Sequence, residues 1–585
     1  MTETIDRVQF ADRLYRRGIL LADIPPGRSR SLAEQINKSA GRGDTALWNR
    51  AEYSALFDLI VREYDVAQTA TTVNLTNERG QRTEAGQAVQ DYLNASTDKD
   101  DFFDKPMHFV DVSGWPEDLM QPESQERAAW PAHLMIWEIE PADSRHIPPP
   151  GPRGVHFSTS DFSLVNSGNR TLRASKRSWK VNFQPGPGNG ESLAGMKRLN
   201  LKAMFNDPSQ MREALAWGLF RRSGVPASRH TFARMAINGR YLGLFSVLEE
   251  IDRPFVKERF GMNHRGNLYR ASCGDLGGAT LEHRVGRDGD DGGSQYRSAS
   301  RNDPTYLLRT NEGEAAANTY DDLALLIRTI NGIGLAAAPD RFATDSYRES
   351  VERIMNVRAF LRYSAINLLI GSWDTYFATP SNYSLYNSGR RGAEKDFMTE
   401  PYFSFIPWDY DNTFGIDYFG TQWQYTDIVD WASNTRNYCR KVGAPSPTSH
   451  IPLIQNLLRN PELQRYYLDF AEHLLDTSLS PYAISEQLTA AGGLWNRVSA
   501  GAYLESDTPY APPFTGRQFT NDEVYRHGKK QEELHHGEAS MLGIVHYVRM
   551  RYDSARAQLA ELRKAHPRGS SGATFDGVME PLPKA

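Results

Sequence analysis

The sequence is poor in the features that would assign it to several large classes of protein. Only two of its 585 residues are cysteines, Cys273 and Cys439, so neither a disulfide framework nor a cysteine-based zinc site is indicated. The formal net charge is −5, without the basic excess of proteins that bind nucleic acid. No apolar run approaches the roughly 18 residues of a membrane span, and the first residues lack a basic segment followed by an apolar one. We therefore expect a cytoplasmic protein that binds neither nucleic acid nor membrane.

The remaining composition is that of a folded protein with several parts. Hydrophobic residues make up 39% and charged residues 24% of the chain, and the length suggests two to four domains. Residues 1–125 are expected to form a mostly helical accessory region of unknown role. After Cys439 the pattern is helical to about residue 565, and we interpret residues 451–585 as a supporting helical subdomain.

Two carboxylates two residues apart mark the most informative stretch, which runs from Phe403 to Gly415. Phe403 and its apolar neighbours are typical of a buried strand, Pro407 ends the strand, and Asp409 and Asp411 follow. Carboxylates at this spacing can converge on one hard cation, and Mg²⁺ is commonly held by one or two such groups plus substrate phosphates. The alternative is an ordinary turn, because Asp, Asn and Gly are turn formers.

A strand with one polar face is predicted at Ser178–Phe183. Its apolar and polar residues alternate, so Lys180 points away from the core, whereas Lys176 lies at the frayed start of the strand. Lys180 is therefore the better candidate for contacting the phosphates of a nucleotide. A solvated lysine on an exposed face is the alternative.

A helix and a hairpin follow this strand. The helix is predicted to begin at Asp207 as its N-cap and to end before Gly224. Arg212 lies off the apolar stripe of the helix, where it is either a solvated charge or faces a cleft. The hairpin turns at Asn238-Gly239, and its second strand leads into Glu249.

A buried helix near 349–370 precedes a loop that carries Asp374 and Asn382 at its two ends, and this loop returns to a strand. With the lysine, Glu249 and the two later aspartates, these residues match the parts needed for phosphoryl transfer. A lysine steadies phosphates, a loop aspartate orients the nucleophile, and an asparagine and an aspartate hold Mg²⁺. The Gly-rich loop and the His-Arg-Asp triplet of ordinary protein kinases are absent, and so is a P-loop.

These segments, in this order, resemble the CotH-type atypical kinases, named for the spore-coat protein H, over roughly residues 170–565. The sequence departs from the family pattern where Asn166-Ser-Gly-Asn-Arg170 replaces an Arg-Gly before the lysine strand, and where Ser381 replaces a histidine. The segments that carry the resemblance are Lys176–Phe183, Asp207–Arg212, Asn238–Phe245 with Glu249 and Asp252, Arg309–Glu312, Trp373-Asp374 with Asn382-Tyr383, and Ile406–Gly415.

The resemblance implies an α+β, two-lobed atypical protein-kinase-like fold, with a core at 126–450 whose lobes divide near residue 255. It implies ATP and Mg²⁺ or Mn²⁺ as cofactors and a protein substrate phosphorylated on Ser or Thr. Two alternatives stay open: another ATP-dependent transfer, of AMP or in amide ligation such as glutamylation, or a non-catalytic nucleotide-binding scaffold. The implied site comprises Asp374 as the catalytic residue, Asp409, Asp411 and Asn382 at the metal, and Lys180, Lys176, Glu249 and Arg212 at the nucleotide.

Overall fold

A computed structural model gives the fold of the protein. It describes residues 4–8, 10–11, 28–39, 50–64, 72–74, 83–86, 88–89, 102–115, 132–139, 155–160, 162–168, 176–183, 193–204, 206–260, 265–300, 303–390, 397–443, 451–504, 519–536 and 539–575.

The fold is α+β, and its strands form several sheets. The largest sheet has eight strands in the order β5-β4-β3-β9-β10-β8-β7-β6, and a second has four in the order β12-β11-β13-β14. Two small sheets pair β1 with β2 and order three strands as β15-β17-β16. The strands are β1 Thr4–Asp6, β2 Thr72–Asn74, β3 His108–Ser113, β4 His133–Glu138, β5 Val155–Thr159, β6 Ser163–Ser167, β7 Ser178–Asn182, β8 Arg198–Lys202, β9 His230–Ile237, β10 Arg240–Glu249, β11 Asn267–Ala271, β12 Tyr306–Leu308, β13 Tyr383–Asn387, β14 Phe403–Pro407, β15 Ile416–Asp417, β16 Leu534–His536 and β17 Ala539–Met541.

The described helices lie mainly in the second half of the chain. Among the described residues, no helix combines the length and the apolar composition needed to cross a membrane. The helices are α1 Arg28–Ser39, α2 Arg50–Glu63, α3 Arg212–Arg222, α4 Arg253–Phe260, α5 Asp321–Ile330, α6 Asp345–Ile354, α7 Val357–Ile370, α8 Trp431–Val442, α9 Pro452–Leu458, α10 Pro461–Asp476, α11 Pro481–Thr489, α12 Leu494–Leu504, α13 Asn521–Gly528 and α14 Ile544–Leu562.

The predicted hairpin is confirmed as β9 and β10. Ile237 pairs with Arg240 across the two-residue turn, and Asn238 and Gly239 both have positive φ angles, of 51° and 74°. That backbone suits the right-handed twist of the flanking strands, and asparagine and glycine adopt it at the lowest cost. The predicted strands at Ser178–Asn182 and Phe403–Pro407 are confirmed as well.

The eight-stranded sheet begins earlier in the chain than we predicted. Strand β3 pairs in parallel with β9, with Phe109 opposite Arg234, so a strand of the main sheet lies inside the region 1–125 that we expected to be mostly helical. Strand β3 is only six residues long, and its burial alternates only over its second half, from Val110 to Ser113.

Two helices also differ from prediction at their ends. Helix α3 begins at Arg212 instead of next to Asp207, because Gln210 takes a left-handed φ of 55° that a helix cannot include. Asp207 still caps this end, since its carboxylate accepts from the Arg212 N–H at 3.0 Å. The predicted helix at 349–370 is two helices, because Met355 is extended and Asn356 caps the second by accepting from the Ala359 N–H at 3.2 Å.

The core surrounds the large sheet on both of its faces. One face buries Val181, Leu199 and Leu201 among residues of the same sheet, and the other packs against α3 and the helices that follow. The polar residues of β7 and β8 point to this second face, next to the four-stranded sheet. The site described below lies there.

Candidate active site

Polar side chains converge where β8 and α3 meet the loops that flank β13 and β14. Strand β8 alternates, because Leu199 and Leu201 are fully buried while Asn200 and Lys202 lie on the opposite face. Lys202 is the last residue of that strand. Its side chain reaches from the end of this strand to Asp409 in the loop that follows β14.

Lys202 contacts carboxyl groups from two elements, helix α3 and the loop that follows β14. Its ammonium group forms an ion pair with Asp409 and lies 4.0 Å from Oε1 of Glu213, in the first turn of α3. Burial disfavours the charged amine, but Asp409, Glu213 and Asp411 outweigh that effect and raise the pKa of Lys202. Lys202 is thus a partly buried cation held among three carboxyl groups.

The loop after β14 holds Asp409 in an uncommon backbone conformation. Pro407 ends the strand, and the Trp408 N–H donates to the Asn382 carbonyl at 3.1 Å. Asp409 then takes a φ of 64°, and Asn382 one of 55°. Aspartate and asparagine tolerate this left-handed region better than most residues, and such conformations cluster at functional sites.

Asp411 is a buried carboxyl group with no hydrogen-bond donor among the described residues. It is 8% exposed. Burial and the charge of Asp409 raise its pKa well above the ordinary value. The two neighbouring carboxylates, Asp409 and Asp411, repel each other, and a cation bound between them would relieve that repulsion.

Asp374 lies on the other side of this loop and is held by side chains. Its Oδ1 accepts from the Thr379 hydroxyl at 2.7 Å, and its Oδ2 accepts from Nδ2 of Asn412 at 3.2 Å. Nδ2 of Asn382 donates to the Asp374 carbonyl at 2.8 Å. Burial, assisted by the charge of Asp409, raises the pKa of the Asp374 carboxyl. A raised pKa suits a group that accepts a proton during a reaction.

The donor set at this site fits a small, hard cation. In the described part of the chain, no three His, Cys, Asp or Glu side chains form a complete metal cage. Mg²⁺ does not need one, since it commonly takes one or two carboxylates and completes its shell with water and phosphate oxygens. Asp409 and Asp411 supply the carboxylates. Within the described ranges nothing donates to Oδ1 of Asn382, so that oxygen is available as well.

Lys180 lies on the polar face of β7, as we predicted, but apart from the cluster of carboxylates. Trp179 and Val181 are buried on the opposite face. The Lys180 ammonium donates to Oε1 of Glu250 at 2.8 Å, and Nδ2 of Asn200 donates to the other oxygen at 2.8 Å. These contacts do not test the predicted role of Lys180 at phosphates, and the function proposed below assigns that role to Lys202 instead.

Lys176 and Glu249 are engaged inside the protein. We expected Lys176 at the frayed start of the strand; it precedes β7, is 3% exposed, and donates to the Leu244 carbonyl at 2.6 Å. Glu249 pairs with Arg229 at 2.9 Å and with Arg259 at 3.2 Å. Lys176 and Glu249 therefore both bond to other residues of the protein.

Arg212 is also directed into the fold. It is fully buried and forms an ion pair with Asp207. It donates to the carbonyls of Thr413 at 3.0 Å and Leu542 at 2.7 Å, and lies 2.9 Å from Nε2 of His527. Arg212 thus ties the start of α3 to the loop that carries Asp409 and to the C-terminal segment.

Two residues of the site, Lys202 and Glu213, were not among our predicted site residues. The alternation of Leu199, Leu201 and their polar neighbours is visible in the sequence and would have indicated a strand ending in a lysine. A glutamate in the first turn of the next helix completes the signal, because protein kinases pair a strand lysine with a helix glutamate.

Comparison with known proteins shows which family the chain matches. The family model described as CotH kinase protein matches residues 165–508, more than half of the chain. Inner spore coat protein H of Bacillus subtilis (strain 168) is 24% identical over 288 residues, which cover 49% of this chain and 66% of the relative. Invasin CotH2 of Rhizopus delemar (strain RA 99-880) is 24% identical over 270 residues, 46% of this chain and 40% of the relative.

The matched regions thus cover less than two thirds of either relative. The family match spans β7, β8, α3, the hairpin, Asp374 and the loop of Asp409, which are the elements that build the site. The chain therefore belongs to the CotH kinase protein family.

Proposed function

We propose that this chain is a two-lobed, kinase-like enzyme that uses ATP and a divalent cation to phosphorylate Ser or Thr of a protein substrate. One observation carries the proposal: Lys202, at the end of a strand of the large sheet, contacts both Glu213 of α3 and Asp409 after β14. Protein kinases require such a lysine–glutamate pair and an aspartate at the metal. Asp374 and Asn382 supply the remaining parts beside it.

The residues have separate roles in this proposal. Asp409, Asp411 and Asn382 hold Mg²⁺ or Mn²⁺, which neutralises phosphate charge when bound. Lys202 binds phosphate oxygens, and Glu213 keeps its ammonium group in place. Asp374 accepts the proton of the substrate hydroxyl. Positioning and charge stabilisation then account for most of the rate, so these few groups suffice.

The comparison of Lys202→Met with Lys180→Met identifies the phosphate-binding lysine. Lys202→Met is expected to lower kcat/KM for ATP by about 10²-fold, the usual loss for one charge-stabilising donor. Lys180→Met removes an ammonium group of the same kind from the same face of the sheet, outside the carboxylate cluster. It is expected to change kcat/KM by less than about threefold, within the loss of one ordinary hydrogen bond.

Steady-state kinetics and melting temperatures on both variants make the comparison. The melting temperature of Lys180→Met reports the cost of leaving Glu250, which is 8% exposed, with Asn200 as its remaining donor. A larger kinetic loss in Lys180→Met than in Lys202→Met would contradict the assignment to Lys202.

A second candidate, transfer of AMP, is favoured by a cluster of cations next to the site. The pKa of Lys180 is lowered, mainly by burial, and the positive charges of Arg270 and Arg309 contribute. In the described part of the chain neither guanidinium has an ion-pair partner, and Glu250 is the carboxylate that pairs with Lys180. In AMP transfer the α-phosphate, instead of the γ-phosphate, would lie beside Asp374. The positive charges of these cations would then stabilise the β- and γ-phosphates.

Labelled ATP separates the two candidates. The protein is incubated with an acidic model protein such as casein and with ATP labelled on either the α- or the γ-phosphate. Label from the γ-phosphate together with a mass gain of one phosphate supports the kinase. Label from the α-phosphate with a mass gain of AMP supports the second candidate, and absence of both labels from every protein, including the enzyme, contradicts both.

A further inference from the structure

Asn412 connects the metal-binding loop to Asp374, and neither the proposed metal set nor the phosphate contacts include it. It directly follows Asp411, and its Nδ2 donates to Oδ2 of Asp374 at 3.2 Å. The hydroxyl of Tyr418 donates to Oδ1 of the same amide at 3.4 Å. Asn412 is half-buried beside the site.

These two contacts define which way the amide faces. An ionised carboxylate only accepts hydrogen bonds, so the group that meets Asp374 must be the amide nitrogen. The amide oxygen then meets Tyr418, whose hydroxyl can donate. The amide oxygen, which accepts from this hydroxyl, is therefore turned away from Asp374.

The carboxylate of Asp374 is held by one donor on each oxygen. Thr379 donates to Oδ1 at 2.7 Å and Asn412 to Oδ2 at 3.2 Å. Thr379 lies in the same loop as Asp374, whereas Asn412 comes from the loop after β14. With Thr379 alone, the carboxylate can rotate about the Cβ–Cγ bond; with both donors, its plane is set.

We infer that Asn412 is a positioning residue that aims the carboxylate of Asp374 at the acceptor hydroxyl. The inference rests on the proposed function, because it takes Asp374 as the group that receives the proton. It also couples the two loops: Asn412 is bonded to Asp411, so Asp374 reaches its working orientation when the metal-binding loop has reached its own. A displacement of about 1 Å from the reactive geometry can cost about 10²-fold in rate.

Kinetics of Asn412→Ala test the inference. The expected result is a fall in kcat of about 10- to 100-fold, with the KM for ATP and the affinity for ADP with Mg²⁺ within about twofold of the unchanged protein. Asn331→Ala is the matched control, since that half-buried asparagine donates to the carbonyls of Leu281 and Ile327 at 2.9 and 2.8 Å, away from the site. It is expected to lower the melting temperature and leave kcat unchanged.

A double-mutant cycle shows whether Asn412 acts through Asp374. In an Asp374→Asn background, Asn412→Ala should lower kcat by less than about twofold, because the group it positions is already lost. A full effect in that background would overturn the inference, as would a normal kcat in Asn412→Ala. If the alanine variant does not fold, Asn412→Asp takes its place, since it keeps the shape but replaces the donor with an acceptor.

The two proposals fail in different ways. A protein without ATP-dependent transfer in the labelling experiment overturns both. Transfer by the unchanged protein with normal kcat in Asn412→Ala overturns the positioning role alone. Tyr418→Phe gives a third, milder variant, because it removes the hydrogen bond at 3.4 Å that orients the Asn412 amide. Its loss of kcat should be smaller than that of Asn412→Ala. This loss should also vanish in the Asp374→Asn background.

Discussion

Asp409→Asn is expected to lower ATP turnover by roughly 10³-fold. Charge stabilisation by a metal is worth several kcal/mol, and each 1.36 kcal/mol corresponds to a factor of ten in rate. Asparagine keeps the shape of the side chain and tolerates the φ of 64° at this position, so the change removes the charge with little backbone strain. Asp409→Ala would add that strain.

Turnover at saturating Mg²⁺ and the melting temperature are the two measurements. Lys202 retains Glu213 as a carboxylate neighbour at 4.0 Å, so the fold is expected to survive the loss of the Asp409 charge. Turnover that remains at the level of the unchanged protein at saturating Mg²⁺ would refute the assignment of Asp409 to the metal. A collapse of the melting temperature would show instead that the ion pair with Lys202 is mainly structural.

Asp374→Asn is expected to lower kcat by about 10²- to 10⁴-fold, the usual cost of losing a general base. Its carboxyl pKa is raised, mainly by burial, which makes it a better proton acceptor than an exposed aspartate. The group acts in the transition state, so nucleotide affinity should hardly change. Nucleotide affinity and single-turnover rate, measured on the same preparation, check both expectations.

A turn-capping role for Asp374 predicts a different result. Loss of a cap costs about 1 kcal/mol of stability and has no selective effect on turnover. The recorded donors to the carboxylate are side chains, Thr379 and Asn412, and not the N–H groups of the turn. A lower melting temperature with near-normal single-turnover rate would identify Asp374 as a cap. Thr379→Val is the matched comparison: it removes one donor to the carboxylate and keeps the carboxylate itself, so its loss of single-turnover rate should be smaller than that of Asp374→Asn.

Most of the acidic residues of the site could be predicted from the sequence, because they lie close together along the chain. Asp409 and Asp411 follow an apolar strand that ends at a proline, and Asp374 and Asn382 stand at the two ends of one loop. The hydrogen bond from Asn382 to the Asp374 carbonyl lies within that loop. Such groups meet over short stretches of chain, so residue type and spacing are enough to bring them together.

The lysine of the site could not be predicted in this way. Lys180 and Lys202 both lie on the polar face of an alternating strand, so the alternation alone does not show which of them belongs to the site. Which one meets Asp409 depends on the strand order β10-β8-β7, which puts the end of β8 beside α3 and leaves Lys180 next to Glu250.

The sequence alone established the hairpin, the strands at 178–182 and 403–407, and the carboxylates that follow the second of these. Each depends on contacts between near neighbours, so the local pattern carries the information. The tertiary structure decided the partners of the buried charges. Lys202 meets Asp409 across 207 residues, and Arg212 donates to Thr413 across 201. Pairs so distant in sequence form only through packing of the sheets and α3, and a buried charge must find its partner there because its desolvation is otherwise too costly.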